Sequence, residues 1–277
     1  MKTPRSPRLR VRLRRPMTNH ILRSVGLCLL LAFAATARVQ LIQEDKKAGL
    51  ELWDTALGPL WIPASGSAVI KNLEWEQVDQ QIYNYPLAHV SRGDIVIDCG
   101  AHIGGFTRVA LAAGARLVVA IEPEKLNATA FRRNFEKELK KGSVILVEKG
   151  VWDKTGILPL HLSSTGDSHS VTITQNSGKD ETIELTTIDV LAGTLKLPRI
   201  DFIKMDIEGS ELNALRGARQ ALQRWQPRLA ISSYHKKGDP AAICSIVWEA
   251  QPKYLIGSKD RWRWSSGSEV PKVLFFY

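Results

Sequence analysis

The chain has 277 residues, of which 44% are hydrophobic, so it can bury one large core or two modest ones. Its formal net charge of +10 is uneven, because residues 1–40 hold nine Lys or Arg and no Asp or Glu, while the remainder balances 29 basic against 28 acidic residues. A nearly neutral body gives no electrostatic reason to bind a polyanion, so we expect no nucleic-acid partner. Three cysteines are too few for a disulfide framework.

Residues 1–40 have the organisation of an export signal. A basic start precedes an apolar run from Val25 to about Ala35, and the small-residue pattern A-x-A follows at 35–37. The run is shorter than the roughly 18–20 residues that a bilayer span requires. We predict a signal peptide, or an uncleaved anchor, with membrane association through residues 21–37. The protein is then exported or membrane-associated, with a body on the cytoplasmic side as the alternative.

The segment 45–90 is predicted to form a small cap on the larger unit. Residues 50–63, LELWDTALGPLWIP, contain two short aromatic-rich strands around a Gly-Pro turn, which predicts a hairpin. Residues 73–90, LEWEQVDQQIYNYPLAHV, predict a helix that stops near Pro86, because a proline disfavours helical backbone in the residue before it.

Residues 91–277 alternate between apolar strands and helical segments. This alternation predicts an α/β domain with a mostly parallel, doubly wound sheet covered by helices on both faces. A polar stretch, 155–180, interrupts the pattern, and the apolar pieces PKYLIGSKD, RWRW and KVLFFY close the chain as strands at the sheet edge. The predicted strands are 95–98, 117–121, 144–148, 201–205 and 228–232. The predicted helices are 104–113, 124–139, 209–224 and 239–249.

A glycine turn follows the first of these strands, in the sequence VIDCGAHIGGFT. Ligands of open α/β sheets bind at the carboxyl ends of the strands, where Asp98 lies. The spacing of Gly100 and Gly104 does not fit the dinucleotide pattern G-x-G-x-x-G. It matches the adenosylmethionine pattern [DE]-x-G-x-G-x-G, except that His102 replaces the middle glycine. A carboxylate at this position suits a cofactor that carries an ammonium and a sulfonium, and it would be a poor neighbour for a pyrophosphate.

Glu122 ends the second strand, in the sequence IEPE. A carboxylate at this place can accept both ribose hydroxyls of a bound nucleoside. That contact is common to adenosylmethionine and NAD sites, so Glu122 supports a nucleoside cofactor without choosing between the two.

The stretch IDFIKMDIEGSELNALRGA, residues 200–218, supplies a second constellation of acids. An apolar strand delivers Asp206 to the same sheet edge as Asp98, and Glu208 and Glu211 follow at a helix start, where the helix dipole favours negative charge. For Glu211, ordinary helix-terminal charge is an equal alternative. Lys204 is interpreted as a strand lysine beside a carboxylate.

With these motifs in place, the chain resembles the FkbM family of methyltransferases. The resembling features are VIDCGAHIGGFT, IEPE, TTIDVL, DFIKMDIEGSELNALRGA and LAISSYHKKGDP, in the family's order from about Leu50 onward. The resemblance implies a Rossmann-like class I methyltransferase fold, S-adenosylmethionine as methyl donor, and a hydroxyl acceptor on a sugar or another small molecule. The leader is not part of the family pattern.

We predict a cofactor site and a catalytic site on this basis. The predicted cofactor-binding residues are Asp98, Gly100, Ala101, His102, Gly104, Thr107, Glu122 and Pro123. The predicted catalytic residues are Asp206, Glu208 and His235.

Removal of the acceptor's hydroxyl proton requires a base, and these catalytic residues and His102 are the candidates. His235 follows the apolar strand RLAISSY, and an imidazole with a near-neutral pKa suits a base at physiological pH. Asp206 and Glu208 are expected to orient the acceptor or, alternatively, to hold a divalent metal as paired oxygen ligands. We assign no metal.

Two other classes of function stay open. A nicotinamide-dependent oxidoreductase shares the strand-turn-helix unit, although the G-x-x-x-G spacing and Asp98 count against it. A catalytically silent, exported or membrane-tethered binding module of the same fold is motivated by the leader, because a methyltransferase needs its donor in its own compartment. A nucleic-acid methyltransferase is a distant third.

Overall fold

The computed structural model describes residues 39–64, 67–161 and 180–277. The predicted leader, residues 1–40, lies outside these ranges except for its last two residues, and most of the polar stretch 155–180 lies outside them as well. Across the described part of the chain, no helix has the length and apolar character needed to cross a bilayer.

The segment before the main domain begins with three antiparallel strands, β1 (Gln40–Asp45), β2 (Leu50–Asp54) and β3 (Leu60–Pro63). Buried apolar side chains on β2 and β3 pack with Ile103 of the glycine turn and Ala130 of a later helix. This sheet is therefore joined to the main domain through the residues that follow the first central strand.

Helix α1 (Ser67–Glu74) continues into a π-helical turn, Trp75–Asp79. The predicted helix 73–90 is wrong in both limits, because the chain leaves the helix at Gln81, which has a left-handed φ of 46°. Lys259 Nζ stabilises this end by donating to the carbonyl oxygens of Gln80 at 2.5 Å and Gln81 at 3.1 Å. The helical segment thus ends before Pro86, at a tertiary contact with Lys259.

Within the described residues, the central sheet has seven strands in the order β12-β13-β11-β10-β4-β5-β6. All neighbouring pairs are parallel except those that involve β13, which is antiparallel to β11 and β12. The strands are β4 (Ile95–Cys99), β5 (Leu117–Ile121), β6 (Val144–Val147), β10 (Phe202–Met205), β11 (Arg228–Ser232), β12 (Ile256–Arg263) and β13 (Glu269–Phe276). The predicted mixed α/β fold with a mostly parallel sheet is confirmed.

The C-terminal strands correct one prediction. KVLFFY belongs to β13, which lies between β11 and β12 and is not at the sheet edge. Its side chains from Val273 to Phe276 are all buried, as expected for a strand with neighbours on both sides.

The helices that flank this sheet are α2 (Gly105–Ala112), α3 (Lys125–Asn134), α4 (Glu136–Lys141), α5 (Ile188–Thr194), α6 (Glu211–Arg216), α7 (Arg219–Trp225) and α8 (Asp239–Ala250). Two predicted helices are therefore each divided in two. The helix 124–139 is interrupted at Phe135, whose buried ring packs against Phe131 and whose backbone is non-helical, with φ −126° and ψ 27°.

The helix 209–224 is interrupted at Gly217. The Gly217 carbonyl accepts a hydrogen bond from Asp189 N, and the Asp189 carboxylate caps the start of α7 by accepting from Gln220 N and Ala221 N. A β-carbon at Gly217 would lie 2.1 Å from the Trp152 carbonyl oxygen, so only glycine fits there.

A small side sheet is formed by β7 (Gly150–Val151), β8 (Gly156–His161) and β9 (Asp180–Thr186), in the order β7-β9-β8. It follows β6 and lies near the carboxyl edge of the central sheet, because Gly150, Val151 and Leu185 line the same cavity as Gly100. In the central sheet, the chain order reverses between β4 and β10, which is where open α/β sheets bind ligands.

Candidate active site

A cavity of about 790 Å³ opens at the carboxyl ends of the central strands. Seven of the residues predicted from the sequence line it, namely Gly100, His102, Glu122, Pro123, Asp206, Glu208 and His235. The predicted cofactor and catalytic residues therefore face one shared space. The other four predicted residues, Asp98, Ala101, Gly104 and Thr107, lie behind its wall and are buried.

Asp98 is the only carboxylate among these four. Its side chain is fully buried, accepts a hydrogen bond from Thr107 Oγ1 at 2.7 Å and lies 3.3 Å from Lys204 Nζ. Lys204 is the register partner of Asp98 on β10, and its Nζ also donates to the Gly100 carbonyl at 2.9 Å. Asp98 thus anchors the glycine turn from below, and its predicted contact with a cofactor stays a prediction. The interpretation of Lys204 as a strand lysine beside a carboxylate is confirmed.

The glycines of the turn are required by packing against protein. A β-carbon at Gly100, where φ is 74°, would lie 2.0 Å from the Asp206 carbonyl oxygen. A β-carbon at Gly104, where φ is 97°, would lie 2.0 Å from the Phe135 ring. Close approach to a ligand is therefore not the reason for glycine at either position, although Gly100 does line the cavity.

His102 adopts the left-handed backbone that the usual glycine would supply, with φ 52°. Its backbone N–H donates to Glu122 Oε2 at 2.8 Å, which connects the turn after β4 to the end of β5. This bond shows how the glycine turn and the acidic strand end, which are separate motifs in the sequence, form one structure.

Glu122 is buried at the cavity wall. Its Oε1 accepts from Glu124 N at 3.0 Å, and its Oε2 from His102 N. Burial raises the pKa of Glu122 to about 7, although these backbone donors act in the opposite direction. Asn127 Nδ2 also donates to Oε1, at 3.5 Å. The carboxylate is therefore held by three donors, and Oε2, which accepts from His102 N alone, keeps a lone pair for a further donor.

Asp206 directly follows β10 and is held from two sides. Tyr83 Oη donates to Asp206 Oδ2 at 2.6 Å, and His235 Nε2 lies 3.4 Å from Oδ1. Burial works to raise the pKa of Asp206, but the charges of Lys204 and His235 and the Tyr83 hydroxyl lower it overall. Asp206 is therefore an ionised carboxylate at neutral pH.

His235 lies among acids. Its Nδ1 is 3.1 Å from Glu211 Oε1, and its Nε2 is 3.3 Å from Glu208 Oε2 and 3.4 Å from Asp206 Oδ1. Burial alone would lower the pKa of His235, but these carboxylates raise it to about 9. A pKa of about 9 favours the imidazolium form at physiological pH, whereas the predicted role as a base requires the neutral ring.

Glu208 occupies a left-handed backbone position, with φ 55°, in the loop between β10 and α6. Burial, followed by the nearby Asp206 charge, raises the pKa of Glu208 to about 7. Its side chain keeps 30% of its exposure and lines the cavity. Of the predicted catalytic residues, Glu208 is therefore the one that exchanges a proton near neutral pH.

Other residues of the site carry no sequence signal or only a weak one. Tyr83 comes from the loop after the π-helical turn, and its contact with Asp206 joins residues 123 positions apart. Glu211 is buried and accepts from Ile207 N at 2.9 Å, so its charge does more than begin a helix. The aromatic side chains of Tyr234 and Trp262 line the cavity beside His235. The tryptophans near the end of the sequence are the signal from which an aromatic cavity wall could have been predicted.

Within the described residues, Asp206, Glu211 and His235 bring one ligand-type atom each within 4.8 Å of one another. Such a group of oxygen and nitrogen donors would also suit a divalent cation. The ion pairs of His235 with Asp206 and Glu211 already account for this geometry.

Comparison with known proteins identifies the family. A family model described as the methyltransferase FkbM domain matches residues 98–255, which is more than half of the chain. Hexuronic acid methyltransferase AglP of Haloferax volcanii is 28% identical over 177 residues, which cover 62% of this chain and 69% of that protein. The crystal structure of methyltransferase FkbM from Methylobacillus flagellatus KT matches with 27% identity and a TM-score of 0.51, over 69% of this chain and 45% of that chain. The chain therefore spans less than half of the length of that structure. On the strength of the family model, the chain belongs to the FkbM methyltransferase family.

Proposed function

We propose that the protein is an S-adenosylmethionine-dependent methyltransferase that methylates a hydroxyl of a sugar or another small acceptor. The observation that carries this proposal is the single cavity shared by the Gly100 turn, Glu122 and the acidic cluster of Asp206 and Glu208. The name of the Haloferax volcanii relative, a hexuronic acid methyltransferase, supports a sugar acceptor.

The residues of the cavity fit the proposed cofactor. Glu122 would accept the ribose hydroxyls, because its buried carboxylate lines the cavity and is held by backbone donors. Gly100 and His102 would border the amino-acid end of the cofactor. The ionised Asp206 supplies the negative charge that a sulfonium and an ammonium require.

Within this proposal, S-adenosylmethionine, when bound, supplies an electrophilic methyl group for an acceptor oxygen. Glu208 acts as the general base, because it lines the cavity and is half-ionised near pH 7. Asp206 remains ionised and orients the acceptor hydroxyl. His235 keeps its proton and holds both carboxylates in place through its Nε2. His235 is therefore a positioning residue, and its positive charge compensates the negative charge of these carboxylates.

The experiment is a methyl-transfer assay with S-adenosylmethionine that carries a deuterated methyl group. Methyl glycosides of neutral hexoses and of hexuronic acids serve as acceptors, and mass spectrometry detects the labelled product. The proposal expects a labelled glycoside with wild-type protein and none with the Glu208→Gln variant. Cofactor binding without transfer to any acceptor would instead indicate the catalytically silent module.

We also propose that residues 21–37 attach the protein to a membrane or direct its export, on the sequence pattern alone. Fractionation of producing cells, with N-terminal sequencing of the recovered protein, tests this proposal. A chain that starts near residue 38 outside the cytoplasm would support cleavage, and an intact chain in the membrane fraction would support an anchor. An intact chain in the soluble cytoplasmic fraction would contradict both.

A further inference from the structure

The cavity has two chemically different halves. The half beneath β4 and β5 is formed by the glycine turn and Glu122. The half beneath β11, β12 and β13 carries large aromatic side chains, which are Trp75, Tyr234, Trp262 and Trp264. A cofactor held by the first half leaves the aromatic half for the acceptor.

The aromatic half begins directly at the acidic cluster. The Tyr234 ring lies 4.4 Å from the His235 ring and 5.1 Å from the Trp262 ring, measured between centroids, with interplanar angles of 34° and 35°. His235, Tyr234 and Trp262 thus form a continuous ring surface that leads away from the cluster. Trp262 lines the cavity and remains 41% exposed, so part of its ring is accessible to a ligand there.

Polar groups accompany this surface. Lys272 Nζ lies 4.9 Å from the Trp75 ring centroid and 5.6 Å from the Tyr234 ring centroid, and it donates to Glu76 Oε1 at 2.7 Å. The Trp264 indole N–H is buried and has no acceptor among the described residues, although Trp264 lines the cavity. A buried donor of this kind is costly unless a ligand supplies an acceptor.

An aromatic surface with charged and polar groups at its side matches a pyranose ring, which has apolar C–H faces and a rim of hydroxyls. We propose that the acceptor's sugar ring stacks on Trp262 and Tyr234, with its rim bound by Lys272, Glu76 and the Trp264 N–H. This inference rests on the proposed function and deepens it, because it assigns the acceptor subsite and its substrate class. Lys272 is the cation that would bind the carboxylate of a hexuronate.

Saturation-transfer NMR tests the subsite with methyl β-D-glucopyranoside and the corresponding glucuronide as probes, in the presence of S-adenosylhomocysteine. The variants are Trp262→Ala, Trp262→Phe and Lys272→Met. Trp248→Ala is the matched control, because Trp248 is 40% exposed on α8, outside the cavity. Calorimetric titration with S-adenosylhomocysteine accompanies each variant.

We expect Trp262→Ala to weaken binding of both glycosides at least about tenfold, and Trp262→Phe and Trp248→Ala to change it less than about threefold. Lys272→Met should weaken the glucuronide more than the neutral glycoside. Affinity for S-adenosylhomocysteine should stay unchanged throughout. The inference is overturned if the wild type binds S-adenosylhomocysteine but neither glycoside, or if Trp262→Ala binds both as well as Trp248→Ala does. A wild type that fails to bind S-adenosylhomocysteine would overturn the proposed function itself.

Discussion

Lys204 and Asp98 are register partners on adjacent parallel strands, and their side chains form an ion pair of 3.3 Å that is buried from solvent. Removal of one partner from such a pair leaves an uncompensated buried charge. We therefore expect Lys204→Met to destabilise the fold by about 3–5 kcal/mol, measured by urea denaturation. The double variant Lys204→Met, Asp98→Asn should recover a large part of the lost free energy of unfolding, because neither charge then remains unpaired.

Lys140→Met is the matched control for this experiment, because Lys140 forms an exposed ion pair with Glu136 on α4. Exposed pairs contribute about 0–1 kcal/mol, so the control should stay close to wild type. Equal stability of the Lys204→Met and Lys140→Met variants would show that the buried pair does not support the glycine turn.

The second prediction compares two glycines with nearly the same backbone. Gly100 has φ 74° and Gly142 has φ 72°, but a β-carbon at Gly100 would lie 2.0 Å from the Asp206 carbonyl oxygen, while nothing lies within 4 Å at Gly142. Gly142→Ala should cost only the left-handed backbone penalty, about 1–2 kcal/mol. Gly100→Ala should cost several kcal/mol more in thermal or urea unfolding and abolish methyl transfer. Similar losses in the two variants would refute the steric explanation.

The third prediction concerns the ribose contact assigned to Glu122. Glu122→Gln places an amide N–H₂ opposite a backbone N–H that now donates to a carboxylate oxygen. We expect a loss of about 10- to 100-fold in affinity for S-adenosylmethionine, since hydrogen bonds to charged groups contribute about 1.5–3 kcal/mol. Because burial raises the pKa of Glu122 to about 7, wild-type affinity should increase as pH rises through that value.

Isothermal titration measures this affinity, and Glu124→Gln is the control. Glu124 caps α3 by accepting from Leu126 N and Asn127 N, and it lies two residues from Glu122 without lining the cavity. An affinity loss of the same size in both variants would contradict a direct role for Glu122.

The fourth prediction assigns proton removal to Glu208. Glu208→Gln should lower kcat by about 10²–10⁴-fold, which is the usual contribution of a general base, and leave cofactor affinity unchanged. Because the pKa of Glu208 is raised to about 7, the wild-type kcat should rise with pH through that value. The kcat of the Glu208→Gln variant should not show this rise. Glu249→Gln, an exposed change on α8, is the control. If Glu208→Gln kept the wild-type kcat, the proton would be removed by a group other than Glu208.

The fifth prediction follows from the protonation of His235. Its pKa is raised from 6.5 to about 9 in the folded protein, so protonated His235 stabilises the fold. This contribution is complete below pH 6.5 and is lost as pH rises through about 9, and its size is on the order of 3 kcal/mol. Compared with His235→Gln, the wild type should therefore lose its stability advantage over that pH window in urea denaturation. A difference that stays constant with pH would mean that folding does not raise the pKa of His235.

The sequence predicts the central strands within about a residue because each is an apolar run bounded by polar or glycine residues. Strand β5 occupies 117–121 and β11 occupies 228–232, as predicted. The helix ends and interruptions are missed because they depend on partners distant in the chain. Helix α6 ends where the Gly217 carbonyl accepts a hydrogen bond from Asp189 N. The π-helical turn ends where the Gln80 carbonyl accepts a hydrogen bond from Lys259 Nζ.

The site divides in the same way. The position of Asp206 at the ligand edge follows from the apolar strand before it, so the sequence predicts that it lies near Glu208 and His235. The protonation of His235 could not be predicted, because it results from carboxylates that only the fold brings within 3.4 Å. Asp98 shows another limit, because its position at the turn follows from the motif but its ion pair with Lys204 depends on the pairing of two strands distant in the sequence.

The central claim is that this cavity binds S-adenosylmethionine, and calorimetric titration of the purified full chain tests it most directly. Separate titrations with S-adenosylmethionine and with NAD should give saturable one-to-one binding of the first and no heat from the second. The Glu122→Gln variant should weaken the first titration. Saturable binding of NAD with no response to S-adenosylmethionine would contradict the assignment of the cavity.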